Sequence, residues 1–118
     1  MKATKITLGN LVMLGDKIIR VDAIHKRKVG YHVRFDKLNF VFEDRVNPIP
    51  LTTEILERNF SKDPACKGTY FINDYLHIYY EERNNCWIIQ YMKFVELRYV
   101  HELQNMLTLC KIDKQIEL

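Results

Sequence analysis

The sequence has little glycine, proline or cysteine, with four, three and three residues in a chain of 118. Because these are few and 47% of the residues are hydrophobic, the composition excludes a disordered chain and supplies enough apolar side chains for a core. The scattered glycines form no phosphate-binding loop. This length fits one compact domain, which we expect to unfold as one cooperative unit.

Long apolar runs are also missing. None approaches the roughly 20 residues of a membrane span, and the amino terminus lacks the apolar core of a signal peptide. We therefore expect a cytoplasmic protein with no membrane partner. Cys66, Cys86 and Cys110 are odd in number and widely separated, which predicts reduced thiols. No cysteine pair has zinc-knuckle spacing and the histidines do not cluster beside them, so we expect no metal and no cofactor.

The net charge of +3 is unevenly distributed. Residues 1–50 hold ten Lys or Arg against five Asp or Glu, giving +5, whereas residues 51–118 hold eight against ten, giving −2. The densest basic run is Lys26-Arg27-Lys28, which with Arg20 and Arg34 forms a candidate nucleic-acid-binding surface. The alternative is that three cations at a hairpin end are solvated and bind nothing.

Short strands dominate the first half of the chain. Leu11 to Leu14 and the segment from Lys17 flank Gly15-Asp16, a dipeptide suited to a tight hairpin turn. Further strands are predicted around Tyr31 to Phe35, where apolar and basic residues alternate, and around Phe40 and Phe42. Several short strands joined by tight turns favour an SH3-like small β-barrel.

Helical and hairpin signals follow the barrel. Pro48 and Pro50 end the strands, and Thr52 is placed to cap a short helix that runs to about Asn59; residues 61–68 read as a loop. A hairpin then pairs residues 75–82 with 86–95 about Asn84-Asn85, so that Tyr80 faces Ile89 and Ile78 faces Tyr91, with Ile88, Gln90 and Met92 on the other side. A final helix from near Arg98 carries an apolar stripe that we expect to pack on this hairpin; the stripe comprises Val100, Leu103, Leu107 and Cys110.

The predicted fold class is therefore α+β. An N-terminal SH3-like small β-barrel, residues 1–50, is followed by a lobe of residues 51–118 made of a short helix, an antiparallel β-hairpin and a C-terminal helix. We expect the two lobes to share one cooperative core.

Three stretches resemble a group of small proteins of gut anaerobic bacteria that are commonly encoded in prophages and other mobile elements. They are residues 6–12 (ITLGNLV), residues 49–56 (IPLTTEIL, followed by Phe60) and residues 99–105 (YVHELQN). The tail after Cys110 departs from the glycine-containing tail of that group. The group has no known activity to transfer, so the resemblance implies an accessory, non-enzymatic protein of a phage or bacterial genome.

The stretch His101-Glu102-Leu103-Gln104-Asn105 is the nearest approach to a catalytic motif. A zinc-protease helix requires a second histidine where Asn105 stands, which argues against that activity. His101, Gln104 and Asn105 share a helix face, where they would either bind a partner or satisfy an edge-strand carbonyl or loop amide of the fold. Cys66 is the one thiol predicted to be exposed, and it has no evident base.

Three functions remain open. The leading hypothesis is a non-catalytic binding or adaptor module that takes a protein partner or self-associates, using the aromatic residues of the second half or a sheet edge. The second is a nucleic-acid-associated protein that uses the basic face of the N-terminal barrel. The third is a small hydrolase, which requires a concave pocket with convergent titratable groups.

Overall fold

The computed structural model describes residues 1–91 and 93–118 and confirms an α+β chain. Two compact units are distinguished. The first unit comprises Met1–Ile49 together with Tyr99–Ile112, and the second comprises Pro50–Arg98 together with Asp113–Leu118. Cooperative unfolding of the whole chain stays a prediction.

The first unit contains a curled, half-barrel antiparallel sheet of five strands. They are β1 (Leu11–Leu14), β2 (Lys17–Lys26), β3 (Tyr31–Phe35), β4 (Asn39–Phe42) and β5 (Val46–Asn47), and their order in the sheet is β4-β3-β2-β1-β5. The predicted hairpin turn at Gly15-Asp16 is confirmed, because Leu14 pairs with Lys17 and Gly15 has a φ of +62°. Turns of 3₁₀ helix precede β1, at Ala3–Lys5, and follow β4, at Glu43–Arg45.

A β-bulge in β2 shapes this sheet. The register with β3 shifts between Val21 and Ala23, so the strand bends and its two halves line the same curled surface. The inner side of the curl is a core of buried side chains with at most 6% exposure, namely Ile6, Val12, Ile19, Val21, Val33, Phe35 and Val46. The side chains on the outer side of the curl remain accessible, and they form the site described below.

Helix α2 (Val100–Leu109) belongs to the first unit, whereas the sequence predicted it as part of the lobe of residues 51–118; its packing on the hairpin stays a prediction. Its side chains bond to the segment that leads into β1, and Val100 and Leu103 are fully buried. Leu107 of the predicted stripe is buried as well, and α2 contacts β1 of the same unit. Cys110 follows the last helical residue and is half-buried.

The second unit pairs helix α1 (Thr53–Asn59) with a five-stranded antiparallel sheet in the order β10-β9-β8-β7-β6. The predicted cap is confirmed, because Thr52 Oγ1 accepts a hydrogen bond from the Ile55 amide at 3.3 Å. Trp87 Nε1 donates to the Leu51 carbonyl at 3.1 Å within this unit. The strands are β6 (Ser61–Lys62), β7 (Thr69–Phe71), β8 (His77–Glu81), β9 (Cys86–Tyr91) and β10 (Lys93–Leu97).

The hairpin register differs from the predicted one by two residues. Tyr80 pairs with Trp87 and Ile78 pairs with Ile89, because the turn takes four residues, 82–85, instead of the two asparagines alone. A shift of two preserves which residues share a face. The predicted strand over 86–95 is two antiparallel strands, β9 and β10, and the predicted loop over 61–68 begins with β6. Met92, assigned to the hairpin's other side, lies outside the described residues.

Candidate functional site

Five side chains form a continuous patch on the outer side of the first unit's sheet. They come from strands β2, β3 and β4 and from the β2–β3 turn: His25, Arg27, His32, Phe40 and Phe42. His25 pairs with His32 across β2 and β3, and His32 pairs with Phe42 across β3 and β4, so side chains of the three strands project from the same face. We call this patch the aromatic-basic face.

The rings of the aromatic-basic face contact one another edge to face. The ring centroids of His32 and Phe42 are 4.3 Å apart with an interplanar angle of 66°, and those of His25 and Phe40 are 5.2 Å apart at 87°. These contacts leave much of both phenylalanines uncovered, since Phe40 is 42% and Phe42 53% exposed. The face therefore presents two apolar rings to solvent, held in place by imidazoles.

The basic run forms the tip of the β2–β3 hairpin beside this face. Lys26, Arg27 and Lys28 are all exposed, and the Arg27 amide donates to the Gly30 carbonyl at 3.0 Å to close the turn. Arg27 Nε also donates to His32 Nδ1 at 2.9 Å, which joins the guanidinium to an imidazole of the aromatic-basic face. One arginine thus joins the charged tip to the aromatic rings.

The other two predicted nucleic-acid-binding residues are engaged within the unit. Arg34 Nε lies 2.5 Å from Asp22 Oδ1, and this hydrogen bond lowers the pKa of the Asp22 carboxyl. Arg20 donates to the Gly9 carbonyl at 3.0 Å. The structure therefore brings Lys26, Arg27 and Lys28 together, whereas the charge of Arg34 is compensated by a neighbouring carboxylate.

Gln104 and Asn105, two of the predicted partner-binding residues, bond to the chain segment that enters β1. Gln104 Oε1 accepts from the Leu11 amide at 2.8 Å, and its Nε2 donates to the Gly9 carbonyl at 3.3 Å. Asn105 Oδ1 accepts from Asn10 Nδ2 at 2.9 Å and from the Thr7 hydroxyl at 2.7 Å. These are the contacts with a loop amide and a carbonyl that the sequence offers as the alternative to partner binding. Partner binding by these residues stays a prediction.

His101, the third of those residues, is 4% exposed, and its Nδ1 has no hydrogen-bond partner among the described residues. Burial lowers the pKa of its imidazole, so the neutral form is favoured. The ring lies parallel to that of Tyr99, with centroids 5.8 Å apart. Together with Lys2 and Lys5 these rings line a cavity of about 460 Å³ in the first unit.

The second unit has a cavity of about 540 Å³ that brings three reactive residue types together, Asp63, Cys66 and His77. This is the kind of concave site that the hydrolase hypothesis requires. Within the described part of the chain, however, no hydrogen bond joins the Cys66 thiol to the His77 imidazole. The Asp63 carboxylate instead accepts a hydrogen bond from the Ala65 amide at 2.8 Å. The thiol is therefore not paired with the imidazole as its base, and the imidazole is not paired with the carboxylate.

A neighbouring cavity of about 440 Å³ is lined by an ion pair, with Lys62 Nζ 2.8 Å from Glu57 Oε1. Their contact lowers the pKa of Glu57 and raises that of Lys62. Burial, with the charge of Glu57, raises the pKa of Tyr70, whose hydroxyl donates to the same carboxylate at 3.4 Å. The charges of this group are satisfied by one another, so it offers no free acid or base.

Within residues 1–91 and 93–118, no group of three or more His, Cys, Asp or Glu side chains is placed to hold a metal ion. None of the helices in the described ranges is long and apolar enough to cross a membrane.

Comparisons with known proteins find no match among protein-family models, curated proteins or solved structures.

Phe40 and Phe42 are candidate site residues that sequence reasoning missed. Both were assigned to a strand, but Phe40-Val41-Phe42 is apolar at every position and gives no sign of which side is outward. The structure places Val41 against the core and both phenylalanines on the outer side. The one available signal was the spacing of the two rings, two residues apart, because such residues share a face of a strand.

Proposed function

We propose that this chain is a non-catalytic binding module that binds nucleic acid through the hairpin tip and the aromatic-basic face. In line with the resemblance of its three stretches, we place it as an accessory protein of a phage or mobile element, acting in the cytoplasm. Binding requires no activated nucleophile, which agrees with the unpaired thiol and imidazole of the Cys66 cavity.

The observation that supports this proposal best is the hydrogen bond from Arg27 to His32. An arginine hydrogen-bonded to a ring of the aromatic-basic face combines a cation for phosphates with a planar surface for bases, and Lys26 and Lys28 add two exposed cations at the same hairpin tip. The Glu43 carboxylate lies close to Gly30 and accepts a hydrogen bond from the Ala3 amide at 2.8 Å. Within the described residues no ion pair joins Lys26, Arg27 or Lys28 to a carboxylate, so the tip stays cationic.

We also propose that the curled sheet is an SH3-like small barrel. Five short antiparallel strands in the order β4-β3-β2-β1-β5, a strongly bent β2 and a 3₁₀ turn before β5 support this assignment. Small barrels leave one side of the curl free for ligands while the other side holds the core. The aromatic-basic face occupies that free side.

A protein partner is the second candidate, and the edge position of β4 favours it. This strand pairs on one side with β3 and forms the edge of the described sheet, where backbone amides and carbonyls are available for another strand. Exposed Phe40 and Phe42 would then be covered by a second copy or by a partner chain. Both candidates use the same face, but only nucleic acid requires the three cations.

The proposal is tested by measuring the affinity for labelled DNA and RNA oligonucleotides at about 50 mM and about 200 mM salt. We expect binding that weakens with salt, and a K26A/K28A variant whose slope of log affinity against log salt is shallower by about 1.4 to 1.8. The matched control is K67A/K93A, which removes two exposed lysines from the second unit. Absence of binding at low salt, or an equal decrease of this slope in K26A/K28A and K67A/K93A, would contradict the proposal.

A further inference from the structure

We infer that the nucleic acid bound by this face is single-stranded, with unstacked bases lying on the rings of Phe40 and Phe42. This rests on the proposed function and adds the class of ligand. In duplex DNA or RNA the bases are stacked and paired, so their faces are closed to protein side chains. A surface that offers exposed aromatic rings beside cations is suited to a strand whose bases are free.

The spacing of the two phenylalanines supports this choice of ligand. They are two residues apart on β4, and a strand rises about 3.3 Å per residue, so their attachment points are roughly 6.6 Å apart. Successive bases along one strand of a duplex are only about 3.4 Å apart. Neighbouring bases must therefore separate from each other before each can lie on its own ring, and a single strand does this at the least cost.

The surroundings of the rings keep them available. Phe40 and Phe42 remain 42% and 53% exposed even though His25 and His32 contact them edge to face. The exposed part of each phenylalanine is available for a base to stack on. Arg27, bonded to His32, lies at the end of this row, where it and the two lysines can follow the phosphates of the same strand.

Charge complementarity distinguishes this ligand from a second copy of the chain. The face has a cationic tip formed by Lys26, Arg27 and Lys28, and the Asp22 carboxylate of β2 is already paired with Arg34. A second copy would bring an equally cationic tip, whereas a polyanion supplies the missing charge. Self-association through β4 is therefore an outcome for the experiment to detect.

The test compares four ligands of about 12 nucleotides each in fluorescence anisotropy at low salt: oligothymidine, oligouridine, an abasic strand with the same phosphates, and a duplex. We expect both oligonucleotides with bases to bind at least about tenfold more tightly than the abasic strand, and more tightly than the duplex. The F40A/F42A variant should bind oligothymidine and oligouridine at least about tenfold more weakly than the wild type does, and its affinity for the abasic strand should change little. Equal binding of the duplex, or of the abasic strand, would overturn the inference.

Two further variants separate stacking from folding. F40Y/F42Y keeps two aromatic rings and should restore binding, while F94A removes a 63% exposed phenylalanine from the edge strand of the other sheet and should change nothing. If F40A/F42A binds oligothymidine as tightly as the wild type does, and this binding still weakens with salt, the stacking inference fails while the proposed function stands. If no oligonucleotide binds the wild-type chain, the proposed function itself fails. A wild-type dimer that F40A/F42A converts to monomer would assign the face to self-association and overturn the inference.

Discussion

The side-chain oxygen of Gln104 accepts a hydrogen bond from the backbone amide of Leu11 at 2.8 Å, across 93 residues of sequence. Within the described residues, β5 pairs with β1 only at Met13 and Leu14, and no strand reaches the backbone amide of Leu11 on that side. The side-chain amide nitrogen of Gln104 also donates to the Gly9 carbonyl, so one side chain supplies two hydrogen bonds that a neighbouring strand would otherwise supply. The helix thereby completes the hydrogen bonding of the N-terminal sheet.

Replacing Gln104 by Ala should lower the free energy of unfolding by about 1 to 3 kcal/mol, because a shielded backbone amide and carbonyl lose their partners. Urea denaturation followed by circular dichroism measures this loss. Gln115→Ala is the matched control, since Gln115 is exposed in the C-terminal tail. A loss no greater than that of the control would show that water replaces the side chain without cost.

Replacing Leu103 by Ala should cost roughly 2 to 5 kcal/mol, because Leu103 has no exposed surface and its loss leaves a cavity beneath α2. The same substitution at Leu109, which is 70% exposed on the last turn, should cost little. The two midpoints of urea denaturation give the comparison directly. Similar midpoints would mean that the helix is not seated on a core.

The buried imidazole of His101 makes stability depend on pH. Burial lowers the pKa of the folded state below the ordinary value of 6.5, so between these values the unfolded chain binds more protons. The contribution of the neutral His101 side chain to the free energy of unfolding is complete above pH 6.5 and is lost as pH falls through 6.5 towards the pKa of the folded state. Unfolding free energies between about pH 8 and pH 5 should therefore fall more steeply for the wild type than for H101F. A wild type that gains stability relative to H101F as pH falls would contradict this sign.

The cysteines should differ in reactivity. Cys66 is exposed, whereas Cys86 is 1% exposed and burial raises the pKa of its thiol, so little thiolate forms and reagents cannot reach it. Iodoacetamide followed by peptide mass spectrometry should label Cys66 first and Cys86 only in denaturant. Cys66→Ser should remove the fast phase. Rapid labelling of Cys86 in native buffer would show that β9 opens easily.

Local signals predicted the local features of this fold. The turn at Gly15-Asp16 and the cap at Thr52 depend on the conformational and hydrogen-bonding properties of one or two residues, and both were predicted correctly. The apolar stripe of α2 was also visible, because helical periodicity is a property of the segment itself.

Long-range choices were not visible in the sequence. The hydrogen bonds of Gln104 and Asn105 reach a segment more than 90 residues away, which the helical periodicity of their own segment does not indicate. The hairpin register depended on whether the turn used two or four residues, and Arg83-Asn84-Asn85 suits both. The outward side of β4 depended on the curl of the sheet, which the bulge in β2 introduces.

The most direct measurement of the central claim is an NMR titration of the ¹⁵N-labelled chain with oligothymidine at low salt. Amide shifts should change in a contiguous set around Lys26, Arg27, His32, Phe40 and Phe42, with those of the second unit unchanged. Shifts confined to the second unit or to the His101 cavity, or no shifts at all, would contradict the assignment of the aromatic-basic face as the binding surface.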